Sequence, residues 1–256
     1  MKIAVCGCSF SAISHLPQYK GTHWSEILAD KLGAELISYA RQGIGNNVIR
    51  LQIDEAIKEK ADWVFIGSTT EDRIEFPMNK FKKINDGSPN HSAYPENQLG
   101  YKPELGLKNF NYGDAHPYTM IAETLFSVID NSDHNYRIIK VDKNTRIAVE
   151  GYAAFLYDAH WKRQVDNWVL QSGLWRLHEL KIKFLFNPWI SAVPNAKFED
   201  IPSWFVQQYY LSNDFAFGQF CKQYPHEPNI DPGYHTSPQG QQAIAEKYFN
   251  KIKELS

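Results

Sequence analysis

The chain opens on an apolar run, Ile3-Ala4-Val5-Cys6, followed at once by Gly7-Cys8-Ser9. A short continuous apolar run bounded by turn residues predicts a buried strand. A polar loop to Gly21 leads into a helix predicted over 23–32, with Thr22 as its cap. Ile27, Leu28 and Leu32 share one face of that helix, and Gly33 stops it. Residues 35–39 predict a second strand, and Arg41-Gln42-Gly43-Ile44-Gly45-Asn46-Asn47 a turn after it. The spacing of Ile49, Ile53, Ala56 and Ile57 predicts a helix over 48–58. Residues 62–67, Asp-Trp-Val-Phe-Ile-Gly, predict a third strand, ending in Ser68-Thr69-Thr70-Glu71-Asp72-Arg73. Strand, helix, strand, helix, strand implies a parallel sheet with right-handed crossovers.

The rhythm then breaks. Residues 77–117 are polar and rich in Asn, Gly, Pro and Tyr, and read as an insertion over the sheet edge whose aromatics can pack. Residues 118–129 read as helical, and 136–149 fit either a hairpin or the start of a helix. Residues 153–180 predict one or two helices, with Phe155, Trp161, Val165, Trp168, Val169 and Leu177 as an apolar stripe taken for core. A fourth parallel strand is predicted over 183–186, ended by Asn187-Pro188, and short helices over 202–211 and 215–223. The last helix has the clearest start, Ser237 as cap and Pro238 at its first position, and is predicted to run to Leu255. The whole reads as one α/β domain over 1–256 with an insertion at about 77–180.

Composition narrows the function classes. A 43% hydrophobic chain of 256 residues has ample core for one domain. The formal charge of −2 supplies no basic field for nucleic acid. Three cysteines, two of them in the first strand and its turn, do not suit a disulfide framework and favour a reducing compartment. The first residues lack the apolar stretch of a signal peptide, and no run has the length of a membrane span. The expectation is a cytoplasmic protein without a membrane or nucleic-acid partner; the oligomeric state is left open.

The candidate chemistry sits at two ends of the chain. Ser9 falls at the carboxyl end of the first strand, the edge where open α/β sheets bind ligands. A serine hydrolase also needs a base, a group that orients it, and donors for the developing oxyanion. His235 lies in Asp231-Pro232-Gly233-Tyr234-His235, just before the capped last helix, and Asp231 is close enough in sequence to orient its ring. Backbone N–H groups of Ser9 and Gly43 are candidate oxyanion donors. Cys8 is a second candidate nucleophile, disfavoured because neighbours in an extended turn face opposite ways. Cys6 and Cys8 lack further ligands at zinc spacing, so no metal site is expected.

These blocks resemble the SGNH (GDSL-type) hydrolase family. Gly7-Cys8-Ser9 matches its Gly-Asp-Ser block, and Gly43, with Asn46 following, its second-block glycine. Gly67-Ser68-Thr69-Thr70 matches Gly-x-Asn-Asp in position, and Asp231 with His235 the block before the last helix. The likeness covers about 1–75, 180–190 and 230–256. It implies a flavodoxin-like three-layer α/β/α sandwich around a parallel sheet, here with a long aromatic-rich insertion. It also implies Ser9, Asp231 and His235 as catalytic residues, and an oxyanion hole from Ser9, Gly43, Asn46 and Thr69. Neither metal nor organic cofactor is implied. The implied reaction removes an acyl group from a small-molecule or carbohydrate ester. The chain departs from the pattern at Cys8 for Asp, at Thr69 for the oxyanion Asn, and in the spacing of Asp231, four residues before His235 rather than three. Those departures keep two alternatives open, a binding module with weak or no catalysis and an acyltransferase using the same acyl-enzyme.

Overall fold

The computed structural model describes residues 1–13, 19–40, 44–69, 73–77, 117–121, 147, 151–187, 221–225 and 236–255. Strand β1, Lys2–Cys6, lies between β2, Glu35–Ser38, and β3, Trp63–Gly67. Strand β6, Lys183–Asn187, flanks β3, and all three pairings are parallel. The order β2-β1-β3-β6 follows the start of a flavodoxin-like sheet. Successive strands are added to one side of β1 and then to the other, so the strand order reverses between β1 and β3 and a crevice is expected at their carboxyl ends.

Both faces of this sheet are covered, which is why its strands read as unbroken apolar runs. Helices α1, Trp24–Leu32, and α4, Pro238–Leu255, pack against Ile3, Val5, Phe65 and Leu185. Helices α2, Asn46–Lys58, and α3, Ala159–Glu179, pack against Ala4, Cys6, Val64, Ile66, Phe184 and Phe186. The alternation of odd and even positions between the two faces is the two-residue period of a strand. On the α1–α4 side Trp24 stacks on Tyr248 at 4.8 Å, and Phe65 sets its edge against Tyr248 at 5.2 Å. The described architecture is a three-layer α/β/α sandwich.

Several local expectations change. His23, not Thr22, caps α1: its ring accepts the Ser25 N–H and Glu26 accepts the His23 N–H. Thr22 is committed elsewhere, its hydroxyl donating to the Tyr19 carbonyl at 2.6 Å. Helix α2 begins at Asn46, two residues early, because the Asn46 amide finds partners outside the helix (below). The stripe assigned to 153–180 is not one core face. Leu170, Leu174 and Leu177 point inward, whereas Trp161 and Trp168 are exposed, half a turn away at 100° per residue. Phe155, also exposed, belongs to a separate π-helical turn, Tyr152–Leu156, and Asp158 then caps α3 by accepting the Trp161 N–H.

Pro117–Ile121 is strand β5, not the start of a helix; it pairs antiparallel with β4, Arg73–Pro77. Its β-prone residues find a partner that local pattern did not reveal. The pairing sets Pro77 opposite Pro117, closing the base of the expected insertion. The residues between them, the hairpin-or-helix stretch up to 146 and the predicted helix at 202–211 lie outside the described residues. Helix α4 matches its predicted bounds, and the Ser237 hydroxyl accepts the Gly240 N–H. No helix among the described residues is long and apolar enough to cross a membrane.

Candidate active site

β1 ends where its chain must turn beside the end of β3. A Cβ on Gly7 would sit 2.8 Å from the Ser11 Cβ and 3.1 Å from the Gly67 carbonyl oxygen, so glycine is required by space. The Gly7 N–H donates to the buried Gln52 side chain of α2 at 2.7 Å. The Ser11 N–H then closes a turn onto the Cys8 carbonyl at 2.9 Å, with Ser9 and Phe10 as its central residues. Ser9 is buried at the carboxyl end of β1. Cys8 packs into the apolar cluster on the α2–α3 side, which speaks against its thiol as the nucleophile.

The turn is held from the other side by the N-terminus of α1. The Trp24 indole N–H donates to the Phe10 carbonyl at 3.1 Å, and the His23 ring bonds the same carbonyl. Burial lowers the His23 pKa from its usual 6.5 to about 3, so the ring is neutral near pH 7. A neutral imidazole has one donor and one acceptor. Here Nδ1 faces the Ser25 N–H and the other nitrogen serves Phe10.

The turn after β3 is set by a single amide. Asn46 Oδ1 accepts the Thr69 N–H at 2.9 Å, and Asn46 Nδ2 donates to the Thr69 carbonyl at 3.0 Å. The remaining Nδ2 hydrogen goes to Asp166 Oδ2 of α3 at 3.0 Å, and Lys162 Nζ meets Asp166 Oδ1 at 2.5 Å. Both Asn46 amide hydrogens are thereby engaged within the protein. The Thr69 hydroxyl is buried and has no hydrogen-bond partner among the described residues.

The end of the chain returns to the same neighbourhood. Thr236, which follows His235, is buried, and its hydroxyl accepts from Gln241 Nε2 at 2.9 Å. Gln241 Oε1 accepts the Trp24 N–H at 2.9 Å. Gly43, Asp231 and His235 themselves lie outside the described residues. Among the described residues no cluster of three or more His, Cys, Asp or Glu side chains is arranged to hold a metal. Burial raises the thiol pKa of Cys6 well above its usual range and that of Cys221 to about 11, so neither offers a ready thiolate.

Sequence reading missed His23, Gln52, Lys162, Asp166 and Gln241. One signal was available: Asp166 stands at helical spacing from Leu170, Leu174 and Leu177, a carboxylate on the buried face.

No family model matches this chain, and no curated protein matches it. Among solved structures it is similar to a G-D-S-L-family lipolytic protein from Desulfitobacterium hafniense, at 10% identity over 98% of both chains, with a TM-score of 0.44. It is also similar to the psychrotrophic esterase EstA from Pseudoalteromonas sp., in a structure inhibited by monoethylphosphonate. That likeness has 11% identity, covers 99% of this chain and 97% of the other, and has a TM-score of 0.45.

Proposed function

We propose that the protein is a serine hydrolase that removes an acyl group from a carbohydrate or other polar ester. Ser9 Oγ attacks the acyl carbonyl while His235 takes its proton. The carbonyl oxygen becomes an oxyanion facing the N–H groups of Ser9 and Gly43 and the Thr69 hydroxyl. His235 returns the proton to the leaving alcohol, which departs as the acyl-enzyme forms. Water, deprotonated by His235, then releases the acid and restores Ser9. Asp231 orients the His235 ring throughout.

The observation that carries this reading is the pairing of two turns at the carboxyl edge. Ser9 follows β1 in a turn clamped at Cys8, Phe10 and Gly7, and the Thr69 hydroxyl, without a partner among the described residues, follows the neighbouring β3. The anchoring of Thr236, one residue from His235, to the α1 N-terminus supports the choice of base.

Labelling with an aryl fluorophosphonate, read by peptide mass spectrometry, tests it. The label is expected on Ser9, and Ser9→Ala and His235→Ala are expected to lower turnover of a short aryl ester by at least about 10³-fold. Cys8→Ala is expected to keep turnover. Label on Cys8, or full activity in Ser9→Ala, sinks the proposal. Product analysis with and without an added alcohol separates hydrolysis from acyl transfer.

A further inference from the structure

Asp166 and Lys162 form an ion pair whose side chains are only 3% and 11% exposed, on a helix that otherwise buries leucines. Apolar residues in both places would pack α3 at least as well, since removing two charges from water offsets most of their attraction. The pair does something apolar residues cannot. Asp166 Oδ1 accepts from Lys162 and Oδ2 accepts from Asn46.

An asparagine amide can sit in either of two orientations related by a flip. Here only one is compatible with its neighbours. Flipped, Asn46 would turn its oxygen toward the Asp166 carboxylate and its NH₂ toward the Thr69 N–H, acceptor against acceptor and donor against donor. Thr69 itself favours the orientation in which Asn46 grips both of its polar groups, and Asp166 adds the third contact that a flip would break, anchoring the amide to α3.

We infer that Asp166 and Lys162 are positioning residues that act through Asn46 to fix the Thr69 peptide and aim its hydroxyl into the oxyanion site. The kinetic part of this inference rests on the hydrolase reading; the structural part does not.

The test uses the full chain with Asp166→Ala, Asp166→Asn and Lys162→Met. Two quantities are read: kcat and KM on a short aryl ester, and hydrogen exchange at the Thr69 amide by NMR. In Asp166→Ala and Lys162→Met, kcat is expected to fall with KM unchanged, by less than the ~10²–10³-fold that removing an oxyanion donor outright costs. Thr69 exchange is expected to quicken in both. Asp166→Asn, which keeps an acceptor for Asn46, is expected to recover part of each effect. Wild-type kcat in Asp166→Ala overturns the inference, and so does a loss of kcat with unchanged Thr69 exchange. If the wild-type chain shows no Ser9-dependent turnover, the hydrolase reading fails and Thr69 exchange alone decides: no change in Asp166→Ala then overturns the positioning role. Should Asp166→Ala not fold, Asp166→Asn and Lys162→Met carry the same comparison.

Discussion

The backbone N–H of Trp24 donates to the side chain of Gln241 at 2.9 Å, across 217 positions of sequence. The same glutamine donates to Thr236, and the same tryptophan reaches back through its indole to the Phe10 carbonyl. First helix, last helix and the turn after β1 thus share one run of hydrogen bonds, and Ser9 and His235 flank its two ends in sequence.

Gln241→Ala leaves a buried backbone N–H without its acceptor. A loss of about 1–3 kcal/mol is expected in urea unfolding. Turnover of an aryl ester is expected to fall as well, because Thr236 loses the group that ties it to α1. Unchanged kcat in a destabilised variant would confine Gln241 to the fold.

His23 makes stability depend on pH. Its pKa in the folded chain is about 3, below the usual 6.5 that it regains on unfolding. Between those values the unfolded chain binds more protons, so its contribution is complete above about pH 6.5 and declines as pH falls toward 3. The steepest expected slope is about 1.4 kcal/mol per pH unit. His23→Asn keeps a capping side chain but does not titrate. Urea unfolding at pH 7 and pH 5 is expected to show a smaller drop for that variant than for the wild type; equal drops would exclude His23 as the source.

Thr69→Val tests the hydroxyl directly. Valine matches threonine in shape and removes a buried oxygen that has no partner among the described residues. Stability is expected to hold or rise, since no hydrogen bond is lost. The kcat is expected to fall by up to about 10²-fold, with Thr69→Ser close to wild type. A valine variant with full kcat would leave the Ser9 and Gly43 N–H groups as the oxyanion donors.

Strands β1, β2, β3 and β6 and helices α1 and α4 were readable because their signals are local. An apolar run marks a strand buried on both faces, Gly33 ends α1 in the left-handed conformation, and Ser237-Pro238 starts α4. The position of Ser9 at the carboxyl edge of the sheet follows from that rhythm alone. The assignment of Asp231, His235 and Gly43 rests on the sequence motifs, since they lie outside the described residues.

What holds the site was not readable. His23 displaced Thr22 as the cap because the threonine hydroxyl was taken by Tyr19. The apolar positions 155, 161 and 168 suggested a core face, yet the buried face of α3 runs through Asp166, Leu170, Leu174 and Leu177. The Asn46–Asp166 contact spans 120 positions and the Trp24–Gln241 contact 217. Apolar burial is a property of each residue's own surface and leaves a periodic trace along the chain. A buried polar group is tolerated only when a specific partner meets it, and that partner is chosen by packing, which brings together residues that sequence keeps far apart.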